Sequence, residues 1–161
     1  MDVQANIAMT SLSRLLRLGM FMDSAAISET AEGYVRQLGI RTPSVAQPVK
    51  LLSGGNQQKV ALSKWLTLEP SVLLLNDPTR GVDVETKREI YLALRAMAAE
   101  GKAVVLLSTD TPELVHLCDR VMVFNKGRVA AVLPHAEASE EAIVAAAMGV
   151  RQAPTLQGEA V

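Results

Sequence analysis

Apolar positions fall along this chain in three textures, and each predicts a different kind of element. In the first, Ile7, Leu12, Leu15, Leu16 and Leu18 recur at helical spacing. Ser24 to Leu38 forms a second amphipathic stretch with Tyr34, Val35 and Leu38 inward. Residues 1–48 therefore read as helical, with Gly39 as a stop and Arg41-Thr42-Pro43-Ser44 as a polar turn. The second texture is the short unbroken run. Val72-Leu73-Leu74-Leu75 and Ala103-Val104-Val105-Leu106-Leu107 have the composition of buried strands in a parallel sheet. Between them Asp83 is placed to cap a helix from Val84 to about Glu100, with Ile90, Leu94 and Met97 as its apolar stripe. The third texture is a hairpin: Val121–Phe124 and Arg128–Val132 flank Asn125-Lys126-Gly127. Ser53 is a good cap for a helix from about Asn56 to Leu68, in which Trp65 joins Leu62 and Leu66 in the core. Short helices are expected from Pro112 to Leu117 and from Ser139 to Gly149, with a loose tail after Arg151. Strand, helix, strand and hairpin make an α/β pattern, with helices packed on a mostly parallel sheet.

Composition narrows the function without naming it. Sixteen Lys and Arg against seventeen Asp and Glu leave a net charge of −1. That balance carries no electrostatic footprint for nucleic acid or anionic lipid. No segment approaches the roughly 18 consecutive apolar residues that a membrane span needs. Met1-Asp2-Val3-Gln4 lacks the basic and apolar regions of a secretory signal. The expectation is a cytoplasmic chain without direct membrane insertion, brought to a membrane only through a partner. Cys118 is the sole cysteine, which excludes an internal disulfide and suits a small buried hydrophobe. His116 and His135 have no companions at metal-ligand spacing.

Two segments carry candidate chemistry. In Leu52-Ser53-Gly54-Gly55-Asn56-Gln57-Gln58-Lys59, two glycines at a helix start allow backbone N–H groups close approach to an anion. The helix dipole favours a phosphate there, and Ser53 and Asn56 add side-chain donors. The glycine pair alone reads equally as a flexible turn before a capped helix. In the second segment, Asn76-Asp77-Pro78-Thr79-Arg80-Gly81-Val82-Asp83 emerges from the end of a strand, where α/β folds place ligand chemistry.

Together these strings resemble the ATP-binding cassette (ABC) ATPases, in the form found in bacterial sugar importers of the ribose, galactose and xylose type. The resemblance covers residues 3–150 and makes Ser53 to Lys59 the signature motif. It implies nucleotide contacts from Ser53, Gly54, Gly55, Asn56 and Gln57, and from Asp83 in the D-loop; Asp83 also serves as a helix cap. It aligns Asn76 with the Walker B metal position, Asp77 with the catalytic position and Thr109 with the switch residue. Asn76 and Asp77 depart from the family's usual Asp and Glu. Thr109 stands where most members have His, a position at which the C-terminal cassettes of sugar importers often carry a small hydroxyl residue. An amide holds Mg²⁺ less well than a carboxylate, and Asp77 is one methylene shorter than Glu. Thr109 reads alternatively as a residue that opens the next helix.

The implied fold is a partial P-loop NTPase: residues 1–50 from the helical subdomain, 51–150 from the later part of the ATPase core, and 151–161 a tail. A sequence Gly-x-x-x-x-Gly-Lys-[Ser/Thr] is absent. The implied role is therefore the C-terminal part of a second cassette, offering its signature helix to a composite ATP site. ATP and Mg²⁺ belong to the complete assembly, which includes another cassette and the membrane permease subunits. The chain alone is expected neither to bind ATP appreciably nor to hydrolyse it. The other reading is a non-catalytic regulatory or structural module that docks on an intact cassette. Lacking the earlier strands of a cassette, the sheet is expected to expose an edge and an apolar face.

Overall fold

Asp2 accepts a hydrogen bond from the Ala5 N–H at 2.8 Å and so opens α1, Val3–Ala8. The structure is a computed structural model that describes residues 1–12, 16–17 and 21–150. Apolar spacing predicts one helix through residue 18, but α1 ends early. The Met9 N–H turns back to the Asn6 carbonyl at 3.4 Å, and the Ser11 hydroxyl donates to the Ala8 carbonyl at 3.3 Å. The Thr10 hydroxyl instead donates to the Lys64 carbonyl and lies 3.0 Å from Thr67 Oγ1. Hydroxyls that offer the backbone other partners release a helix end. Beyond it, β1 (Leu16–Arg17) pairs antiparallel with β2 (Phe21–Met22). Leu15 and Leu18 lie outside the described residues.

The chain divides into two compact units, Met1–Val105 and the part from Leu106 onward. In the first, Asp23 caps α2, Ser24–Gln37, through bonds of 3.1 Å from the Ala25 and Ala26 N–H groups. Leu38 is buried as expected, Val35 half-buried, and the Tyr34 hydroxyl donates to the Leu66 carbonyl at 2.9 Å. Gly39, with φ of +59°, takes the left-handed conformation that ends the helix. Both α1 and α2 pack together, and α1 also packs on α3, Gly54–Leu66. Ile7, Ile27, Leu38, Val60 and Leu66 are among the buried residues of this unit.

Helix α3 begins two residues earlier than the sequence suggests. Its buried stripe includes Gly55, Lys59, Leu62, Ser63 and Leu66. Trp65 stands at the edge of that stripe and is 51% exposed, with the Lys64 ammonium 5.3 Å from the ring centroid. Its expected place in the core is corrected accordingly. Strand β3, Val72–Asn76, leads through α4, Val84–Ala99, to β4, Ala103–Leu107, and the two strands are hydrogen-bonded parallel neighbours. Ile90, Leu94 and Met97 are the buried stripe of α4. Neither strand is buried on both faces as its composition suggests. Leu73 is covered, but Val72 and Leu74 (74% exposed) are not; on β4, Val105 and Leu107 are exposed. Alternate side chains point to opposite faces, and one face lacks cover among the described residues.

The second unit holds α5 (Thr111–Leu117), β5 (Arg120–Asn125), β6 (Arg128–Pro134) and α6 (Glu140–Ala147). The β5–β6 hairpin turns at Lys126 and Gly127, whose φ values of 49° and 75° suit a two-residue turn. Asn125, read from the sequence as part of the turn, is the last residue of β5 and pairs with Arg128. Ser139 caps α6 by accepting from the Ala142 N–H at 3.1 Å. Val121, Val123, Ala131, Leu133, Ile143 and Ala146 form the core of this unit. Cys118 packs against it half-buried rather than enclosed.

Candidate functional site

The N-terminus of α3 concentrates the donors that the sequence singles out. Ser53 caps the helix, and its Oγ accepts from the Asn56 N–H at 3.4 Å and from Asn56 Nδ2 at 2.9 Å. A hydroxyl has two acceptor lone pairs and one donor hydrogen. Both acceptor sites are occupied, so what Ser53 retains is a hydroxyl able to donate outward. Because the helix starts at Gly54, both glycines lie in its first turn, where N–H groups lack intrahelical acceptors. Neither Gly54 nor Gly55 N–H has a protein acceptor among the described residues. Gln57 turns inward instead, its Nε2 donating to the Leu52 carbonyl at 2.8 Å.

The two glycines have different reasons to be glycine. A Cβ on Gly54 meets nothing within 4 Å, so that backbone faces open space. A Cβ on Gly55 would stand 2.5 Å from Thr86 Oγ1 and 2.7 Å from Thr86 Cγ2. Gly55 is thus needed at its Cα for α3 to approach α4, whereas the Cα of Gly54 has open space beside it.

An ionic network missed by the sequence reading stands behind this helix end. Lys59 is 2% exposed, and its ammonium donates to the Gly39 carbonyl at 3.0 Å and to the Glu89 carboxylate. Arg41 bonds Glu85 at 2.7 Å and lies 3.8 Å from Glu89, while its backbone N–H donates to Asn56 Oδ1 at 2.8 Å. The available signal was a lysine on the buried stripe of α3, opposite two glutamates one helical turn apart.

At the end of β3, Asn76 is exposed and Asp77 half-buried. Asp77 has φ of 44°, a left-handed conformation that Asp tolerates better than most residues, and its carbonyl accepts from the Arg80 N–H at 3.1 Å. Asp83 caps α4 through Thr86, accepting from its N–H and its hydroxyl, each at 2.9 Å. Those two bonds, the backbone one foremost, hold the Asp83 carboxyl below its ordinary pKa. Ser53 to Gln57, Asn76, Asp77 and Asp83 all belong to the first unit, and Thr109 to the second. Thr109 is exposed after β4, and it does not open α5: Asp110 does, accepting from the Glu113 N–H at 3.4 Å. Among the described residues no three His, Cys, Asp or Glu side chains cluster in a way that could hold a metal.

No protein-family model matches the chain. Comparison with curated proteins is decisive: over 144 residues the chain is 51% identical to a ribose/galactose/methyl galactoside import ATP-binding protein of Burkholderia ambifaria. The chain belongs to the ABC family. That alignment takes in 89% of this chain and 28% of the relative. The ribose import ATP-binding protein of Clostridium perfringens is 41% identical over 150 residues, 93% of this chain and 30% of that protein. This member of the family therefore spans under a third of the length of its curated relatives, corresponding to their C-terminal part. Among solved structures, a dimeric post-hydrolysis ATP-binding cassette bound to ADP and Pi superposes with a TM-score of 0.71 at 22% identity. The match covers 84% of this chain and 57% of that cassette. An inward-facing metal-chelate type ABC transporter gives 0.75 at 15% identity, over 92% of this chain and 58% of that one. The fold is that of part of an ABC cassette.

ATP and Mg²⁺ are the usual ligands of the family. The residues of this ABC chain fit one part of that chemistry. Ser53, Gly54 and Gly55 offer donors suited to phosphate oxygens. Asn76 and Asp77 offer one neutral amide oxygen and one carboxylate at the end of β3, too little charge and too few oxygens for a magnesium site by themselves.

Proposed function

We propose that this chain completes an ATP site held mainly by another cassette, as part of the energy-coupling apparatus of a bacterial sugar importer. The observation that carries the reading is the state of the α3 N-terminus. Ser53 keeps a donating hydroxyl, and the Gly54 and Gly55 N–H groups keep no protein acceptor. Three donors at the positive end of a helix suit a phosphate, yet they are too few to hold a nucleotide alone. A P-loop on a facing cassette would supply the remaining contacts. Asp83 would lie beside that interface as both cap and D-loop residue. Asn76 and Asp77 would take the family's metal and catalytic positions with weakened chemistry, and Thr109 its switch position.

The names of the relatives support a sugar of the ribose or galactose kind as the transported solute. Membrane permease subunits would then be partners, with the chain held at the cytoplasmic face through them. No helix among the described residues is long and apolar enough to cross a membrane.

The test mixes the purified chain with a P-loop-bearing cassette of the ribose-import type, with and without a non-hydrolysable ATP analogue. Association that requires the analogue and is lost in Ser53→Ala is the expected result. Association independent of nucleotide, with no ATPase gain, would favour the second reading, a docking module without catalytic part, which Asn76 and Asp77 support. ATPase activity of the chain by itself would overturn both.

A further inference from the structure

Asn56 has a side-chain amide that could face either way round, and its orientation decides what Ser53 can do. The Arg41 backbone N–H, 2.8 Å from Asn56 Oδ1, resolves the choice. A flipped amide would set its NH₂ against that N–H, donor against donor. With Oδ1 held by Arg41, Nδ2 is the group that meets Ser53 Oγ, at 2.9 Å. Ser53 must then accept, and its hydroxyl hydrogen is left for an outside acceptor. In the flipped state Ser53 would donate to Asn56 and present only lone pairs outward, which a phosphate oxygen repels.

What fixes the Arg41 N–H is the network behind it. Gly39 is held at its carbonyl by the buried Lys59 ammonium, and Ile40 is buried with its N–H on the Val35 carbonyl at 2.9 Å. The Arg41 guanidinium is drawn to Glu85 and Glu89 on α4, and Glu89 also bonds Lys59. Residues 39–41 are thereby tied to α3 and α4 at both ends. A buried ammonium is costly to desolvate unless paired, so Lys59 is a strong constraint on where Glu89 and the Gly39 carbonyl sit.

We infer that Lys59, Glu89 and Arg41 are positioning residues that set the Asn56 amide and thereby keep the Ser53 hydroxyl as a donor at the signature helix. The inference rests on the proposed composite site only for its consequence in ATP-dependent association, and its geometric part stands alone.

The full chain, isotopically labelled, allows both parts to be measured in Lys59→Met, Arg41→Met and the paired Lys59→Met/Glu89→Leu. The paired variant removes both charges together, a change that often preserves stability, and the Arg41 side chain is exposed, so that variant is expected to fold. Hydrogen exchange at the Arg41 N–H and the Asn56 side-chain amide should speed up by about tenfold or more, while Val60 and Leu62 amides change little. ATP-analogue-dependent association with the P-loop-bearing cassette should weaken by a similar, about tenfold, factor, without change in nucleotide-independent association. Unchanged exchange at Arg41 and Asn56 in folded Arg41→Met would overturn the inference. If Ser53→Ala abolishes association but all three network variants bind as wild type, the positioning role is wrong and the composite site stands. If Ser53→Ala has no effect while exchange at Asn56 does speed up, the composite site is wrong and the positioning geometry stands.

Discussion

Gly55 in α3 and Thr86 in α4 meet so closely that a Cβ on the glycine would stand 2.5 Å from the threonine Oγ1. The same Thr86 hydroxyl donates to Asp83, so the helix contact and the α4 cap share one side chain. Two neighbouring glycines of one motif therefore separate into a packing residue and an open one.

Gly55→Ala is expected to destabilise the first unit by about 1–3 kcal/mol, the range for forcing extra volume into a packed contact. Gly54→Ala meets nothing within 4 Å and sits in a first helical turn, so its effect should stay within about 0.5 kcal/mol. Urea unfolding of the two variants side by side checks the difference, and equal losses would remove the distinction.

Tyr34→Phe should cost about 0.5–1.5 kcal/mol, the net worth of an ordinary hydrogen bond, because the Leu66 carbonyl loses its hydroxyl donor. Burial, with a smaller part from Glu69, raises the Tyr34 pKa above its ordinary value. The hydroxyl's contribution is therefore complete below about pH 10 and is lost as pH rises through the folded-state value. A stability–pH series should show an alkaline loss in the wild type that Tyr34→Phe lacks.

Asp83 titrates in the opposite sense. Its folded pKa is depressed, so its contribution is present above the ordinary carboxylate value of about 3.9 and disappears as pH falls through the lower folded value. Asp83→Asn can still cap α4 but carries no titrating group, so its acid unfolding limb should be shallower than that of the wild type. Monitoring helicity from neutral pH downward measures this.

Val72 and Leu74 face solvent on β3. Val72→Thr and Leu74→Thr together should leave the unfolding midpoint nearly unchanged and reduce self-association at high concentration, read by light scattering. Exposed apolar strand faces are where unwanted association begins. A large stability loss would show that these side chains are covered in solution.

Capping residues and left-handed glycines were legible because their chemistry is local. Ser53, Asp83 and Ser139 cap the helices the sequence assigns to them, and Gly39 and Gly149 have the positive φ their stops require. The run from Ile7 to Leu18 misled, because periodicity counts apolar positions and not the hydroxyls of Thr10 and Ser11, which draw the backbone away. Trp65 misled because apolar character says nothing about which edge of a helix a neighbour covers.

By itself the sequence determined the family, through Ser53 to Lys59 and Asn76 to Asp83, since fixed side chains at fixed spacing need no partner to be read. It also shows Asn76 and Asp77 where the family pattern has Asp and Glu. Only the tertiary structure decided that Gly54 is open while Gly55 packs, that Lys59 lies buried against Glu89, and that Arg41 sets the Asn56 amide. Each of those depends on segments distant in sequence brought within a few ångströms, and hydrogen-bond direction at Ser53 exists only once they meet.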